Sequence, residues 1–227
     1  MTVELLKCRT IKRKKNSMKN LILMSFLATL LMSSSCCNHA KSVSELASLG
    51  LRVVALLQDC AELSEMFSIK VAKVNNGLKE GINSNRSVLD LGKYWEKYWG
   101  DIHSDYDDLR HKLIRTNSTS QEYFAELYKN NSQISNPDLK ERDMKKTLEL
   151  RDKYEKEYTA ALTSLEKAQK VLREGDDILL VLKNNVLRSA LQEQITVLNN
   201  IKVESDVFAR RIKSFSTNCI PLFEQNQ

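Results

Sequence analysis

The chain has 227 residues, 42% hydrophobic and 28% charged, with 35 Lys+Arg against 29 Asp+Glu. The basic excess is unevenly placed. Residues 1–35 hold seven bases (Lys7, Arg9, Lys12, Arg13, Lys14, Lys15, Lys19) and one acid, Glu4, so 35 − 7 = 28 bases and 29 − 1 = 28 acids remain beyond them. A nucleic-acid binder carries a concentrated basic footprint, and a remainder with zero net charge excludes that class.

Residues 1–35 have the three parts of an export signal. Arg9 to Lys19 form a basic region, Leu21 to Met32 a short apolar core, and Ser33, Ser34 and Ser35 the small residues a signal peptidase requires. The apolar run is shorter than the roughly 20 residues that span a bilayer. Met18 is an alternative start, because Met18-Lys19-Asn20 and the apolar run already form a complete leader. Leu31-Met32-Ser33-Ser34-Ser35-Cys36 resembles a relaxed bacterial lipobox, with Ser33 where a large aliphatic is usual. Cys36 is therefore the expected lipidated first residue, with 36–43 a linker from the anchor. Cleavage without lipid would also leave Cys36 at the mature N-terminus. If lipid consumes that thiol, Cys37, Cys60 and Cys219 remain. Cys60–Cys219 is the candidate disulfide, and the alternative is a buried free thiol acting as a small hydrophobe.

Beyond the leader, apolar residues recur at three- and four-residue steps, and no alternating strand pattern appears, so the expected class is all-α. The first helix runs from about Ser44 to Ile82. Leu46, Val53, Cys60, Phe67 and Val74 form its heptad row, with Leu57, Val71 and Leu78 interleaved; Gly77 and Gly81 weaken its end. A second helix begins at Ser87, capped against Asp90, and presents Leu91, Trp95, Tyr98, Ile102, Tyr106, Leu109 and Leu113. The polar stretch from Asn117 to Ser120 marks a kink or restart. Asn136-Pro137 reads as an N-cap followed by proline at the first helical position. It opens a third helix reaching Lys183 at about 70 Å of length. The fourth runs from about Leu187 to Phe215, with an irregular tail over 217–227. The short turn between the second and third helices folds them antiparallel. The expected architecture is an elongated antiparallel four-helix bundle over 44–216, with coiled-coil packing around a long central hairpin.

Ile134-Ser135-Asn136, Leu139, Arg151 and Tyr154, then Val171-Leu172, Leu180, Leu182-Lys183 and Asn185, followed by Ala190-Leu191, Leu198, Ile201 and Asp206-Val207, carry a resemblance. From Phe124 to about Ile212 the chain resembles a family of all-helical secreted bacterial proteins, a domain of unknown function often preceded by a lipoprotein leader. The resemblance implies the hairpin, a turn at Asn184-Asn185 and export, and it implies no chemistry.

Two constellations are candidate sites. His103, Asp107 and His111 share a helical face, but residues eight apart lie about 12 Å apart along the axis. Both imidazoles cannot reach one ion unaided, and a solvated face accounts for them; no metal or cofactor is expected. Lys93-Tyr94-Trp95-Glu96-Lys97-Tyr98-Trp99 repeats a Lys-Tyr-Trp triplet one turn on. Trp95 and Tyr98 lie on the core register. Tyr94 and Trp99 flank it and are the candidate exposed interaction residues, since Trp and Tyr favour boundaries. No Ser-His-Asp order, glycine-rich phosphate loop or Cys-x-x-Cys is present. The functional expectation is a non-enzymatic, lipid-anchored helical protein of the cell envelope, facing periplasm or outside, acting as a spacer or interaction module. An envelope protein partner and self-association both fit such a module. The competing class is a membrane-remodelling or membrane-inserting hairpin, which the polar tip over 128–138 opposes.

Overall fold

A computed structural model describes residues 44–184 and 188–224, without the side chains of 188–190. The leader, Cys36 and the 36–43 linker lie outside the described residues. The bundle lies in the compact unit Leu46–Gln227. Its helices are α1 (44–83), α2 (Val88–Ser132), α3 (Pro137–Lys183) and α4 (Arg188–Glu224). No described residue is in a strand.

Local chemistry accounts for each boundary. α1 closes with Asn85 in the left-handed region, φ 61°, which Asn tolerates better than most residues; Arg86 N–H then donates to Gly81 O at 3.0 Å. Ser87 Oγ accepts from Asp90 N–H at 3.1 Å and caps α2. Asn136 Oδ1 accepts from both Asp138 and Leu139 N–H, and Pro137 opens α3 at a position where no amide donor is required.

Contacts of opposite sequence direction run between every successive pair of helices and between α1 and α4, so the four helices alternate up and down. Phe67 meets Phe208 edge-on across α1 and α4, while Tyr154 of α3 meets Phe215 and Phe223 of α4. Val53, Leu57, Cys60, Phe67, Val71 and Leu78 are buried along α1, as the heptad requires, and Leu198, Ile201, Phe208, Ile212 and Phe215 along α4. The α2–α3 tip is tied separately. Asn131 Nδ2 donates to Thr147 Oγ1 at 2.8 Å, and Lys140 Nζ to Ser132 O at 2.9 Å.

Two expectations are corrected. α2 is continuous through 117–120. Thr116, Thr119 and Ser120 are buried there, and each hydroxyl donates to the carbonyl four residues back. Satisfying these hydroxyls inside the helix removes the penalty of burying them. The 217–227 tail is not irregular as far as it is described, because α4 continues to Glu224 with Pro221 inside it. Burial of Cys219 and Phe223 offsets the hydrogen bond that proline forfeits. α1 runs through Gly77 and Gly81 to residue 83, close to the expected end at Ile82. Gly77 admits the Tyr94 ring, whose hydroxyl would collide with any Cβ there.

Candidate functional site

The aromatic run at the start of α2 packs differently from its register. Trp95 and Trp99 are both buried and stack with centroids 4.7 Å apart at 12°. Trp99 is 1% exposed and Tyr98 is 38% exposed, so the expected roles of these two residues are reversed. Gly175 is the cause. A Cβ at Gly175 would lie within the Trp99 ring, so only glycine lets α3 approach closely enough to cover that indole. The exposed backbone also serves Trp95, whose Nε1–H donates to Gly175 O at 2.8 Å. Tyr94 is half-buried over Gly77, tilted against Tyr98 at 4.9 Å. As a docking surface the belt reduces to the Tyr98 ring and the outer edge of Tyr94.

The candidate disulfide is absent. Cys60 and Cys219 are free and buried. Burial pushes the Cys60 thiol up to about 11, against the lowering effect of its 3.6 Å contact with Thr116 Oγ1. Burial, aided by the nearby Glu157 carboxylate, pushes Cys219 up to about 12. Such thiols are poor nucleophiles at neutral pH. The helical face of His103, Asp107 and His111 does not converge on an ion site. His103 Nε2 instead meets Asp176 of α3 at 2.9 Å, Asp107 and His111 are exposed, and no metal-holding group of His, Cys, Asp and Glu occurs among the described residues.

Polar links distinguish one helix interface from the other three. α1 and α2 are joined by Lys70–Asp105 and Lys112–Asp59. α2 and α3 are joined by Trp95–Gly175, His103–Asp176, Tyr106–Leu165 and Lys183–Glu96. α1 and α4 are joined by Ser216–Leu57, Asn75–Leu198, Ser68–Asp206 and Lys79–Asn199. Among the described residues, no hydrogen bond or ion pair crosses from α3 to α4.

A groove runs along that unlinked seam. At its centre is a depression of about 600 Å³ lined by Ala160, Thr163, Ser164, Lys167, Val207, Arg210, Arg211 and Ser214. Lys167 continues into a second depression of about 630 Å³ with Lys170, Glu174 and Val203. A third, of about 460 Å³, lies toward the other end between Lys153–Glu157 and Thr217–Leu222. Two of the α3 residues that line its centre, Ala160 and Ser164, are small and leave the opening. Lys167, Arg210 and Arg211 have no carboxylate partner among the described residues, whereas Lys170 reaches Glu174 at 3.7 Å. Val203 and Val207, one turn apart on α4, are 57% and 42% exposed. The basic residues were not singled out by periodicity, because charges on a helix's polar face look alike in sequence wherever they point.

No helix among the described residues is long and apolar enough to cross a membrane. Comparison of the chain with protein-family models, curated proteins and solved structures finds no match.

Proposed function

We propose that this chain is a non-enzymatic interaction module of the cell envelope, held to a membrane by lipid at Cys36, and that the α3–α4 groove is where it meets its partner. The groove is the observation that carries the reading. It combines exposed valines with cations that have no carboxylate partner and, among the described residues, an interface free of polar cross-links. The leader and the Cys36 context support the location, and two or more acyl chains on Cys36 would hold the protein stably where one would be marginal.

Site-specific photocrosslinking in the expressing cell tests the module. A benzophenone side chain at Thr163, inside the groove, is expected to give discrete protein adducts, and one at Ser104 on the outer face of α2 to give none. Equal adducts at both positions, or none at Thr163, overturns the assignment of the groove. Intact mass of the membrane fraction tests the anchor: a mature chain beginning at unmodified Cys36, as soluble as Cys36→Ala, removes the lipid from the proposal.

A further inference from the structure

The occupant of the groove can be specified by chemistry. We infer that it is an acidic amphipathic helix of a partner protein, an inference that rests on the interaction-module reading above. Charge is the first argument. The central depression gathers Lys167, Arg210 and Arg211 with hydroxyls from Thr163, Ser164 and Ser214, and no carboxylate lines it. Two adjacent guanidinium groups offer forked donors matched to carboxylates.

Apolar pattern is the second. Val203 and Val207 lie four residues apart, so they present a stripe one turn long on the α4 wall. Both are β-branched and hold few rotamers, so covering them orders little that is not already ordered. A helix laid in a groove is read by anchors at i, i+3 and i+4, and this stripe matches that spacing. Length is the third. From Lys153 to Glu174 the groove follows α3 for about 30 Å, the length of a helix of about 20 residues.

Other occupants fit less well. A polyanion tracks cations along its whole path, but Glu157, Glu174 and Glu204 stand at the two ends of this groove. A bilayer meets the rims of a groove before its floor. A second copy of this chain would have to offer an acidic stripe. The richest in Asp is on α2, where Asp101, Asp107 and Asp108 are interleaved with Lys97, Arg110 and Arg115, and Asp105 is already held by Lys70.

Fluorescence anisotropy on the full mature chain tests the inference, using a synthetic peptide of about 20 residues with Leu at i and i+4 on one face and Glu flanking it. A peptide of the same composition in scrambled order is the comparison. The patterned peptide is expected to bind more tightly than the scrambled one and to weaken as salt rises. Arg210→Glu with Arg211→Glu is expected to reduce affinity at least about tenfold, and Val207→Asp to reduce it similarly. Lys145→Glu, at the hairpin tip, is expected to leave it unchanged. Unchanged melting of these variants shows that the loss is not unfolding. Absence of binding, equal binding of the scrambled peptide, or indifference to the groove variants overturns the inference. So does binding to phosphatidylglycerol vesicles, or a concentration-dependent dimer, that the double Arg variant abolishes. If Thr163 crosslinks in cells while the peptide fails, the module stands and the acidic helix falls.

Discussion

The two seams of α3 are built on opposite terms. Toward α2, Gly175 lets the backbones approach until two stacked indoles, one donating its N–H to the Gly175 carbonyl, fill the interface. Toward α4, Ala160 and Ser164 leave a groove in which Lys167, Arg210 and Arg211 have no carboxylate partner among the described residues. Both seams use small residues on α3, so the difference lies in what faces them: Trp95 and Trp99 on one side, Val203, Val207 and two arginines on the other. A small residue creates a close contact when a large rigid ring faces it, and an opening when nothing does. The comparison separates residues that hold the bundle together from residues free to bind.

If the α2 seam is structural, its indoles should dominate stability. Trp95→Ala and Trp99→Ala are each expected to cost about 3–5 kcal/mol, read by chemical denaturation. A small effect at Trp99 would return that residue to the surface and break the contrast.

Next in size is Gly175→Ala. Alanine is the better helix former by about 1 kcal/mol, but its methyl would occupy the space of the Trp99 ring. A net destabilisation of about 1–3 kcal/mol is expected. Gly100→Ala, with nothing within 4 Å of the added methyl, is expected to stabilise by up to about 1 kcal/mol. Opposite signs at two glycines facing different surroundings would sharpen the argument, and a stabilising Gly175→Ala would refute it.

The buried thiols give a pH signature of the closed core. Their folded values, about 11 for Cys60 and about 12 for Cys219, lie above the ordinary 9.0. The unfolded chain therefore releases these protons first. The thiols' contribution is fully present below pH 9, falls as pH rises, and is lost once the folded values are passed. Denaturation midpoints should decline across pH 9 to 12, and less steeply in the Cys60→Ala, Cys219→Ala double variant. A wild-type decline no steeper than the double variant's would show that the thiols are not buried as described. Tyr154, also raised by burial, contributes to the decline in both proteins.

The smallest effect belongs to the groove. Arg210→Glu and Arg211→Glu are expected to change stability by no more than about 0.5 kcal/mol each, because neither arginine has a carboxylate partner to lose among the described residues. A large loss on thermal melting would place them among the residues that hold α3 to α4.

Periodicity and caps made the helices legible. Apolar residues at helical spacing report which stripe must leave water, and Ser87, Asn136 and Pro137 satisfy or avoid orphan backbone donors through neighbours two or three residues away. These are local interactions, written in adjacent residues, and they locate α2 and α3 closely. The same logic stopped short at Pro221 and at Asn117–Ser120. There, residues that look like breakers are kept helical by burial of Phe223 and Cys219 and by hydroxyls turned back onto their own helix.

The candidate site was hidden for a related reason. One helix has a single register, but the face of Trp99 is chosen by Gly175, seventy-six positions further on, and the isolation of Lys167, Arg210 and Arg211 depends on which acids the packing brings near. The sequence by itself determined the all-helical class, the up-and-down order and most of the core, because hydrophobic burial and capping act over one or two turns. Only the tertiary structure decided which aromatic rings are covered, that Cys60 and Cys219 stay unpaired, and that a groove follows the α3–α4 seam. Those outcomes depend on distances between helices, and helix-to-helix distance is set by side-chain volumes that meet only after the chain has folded.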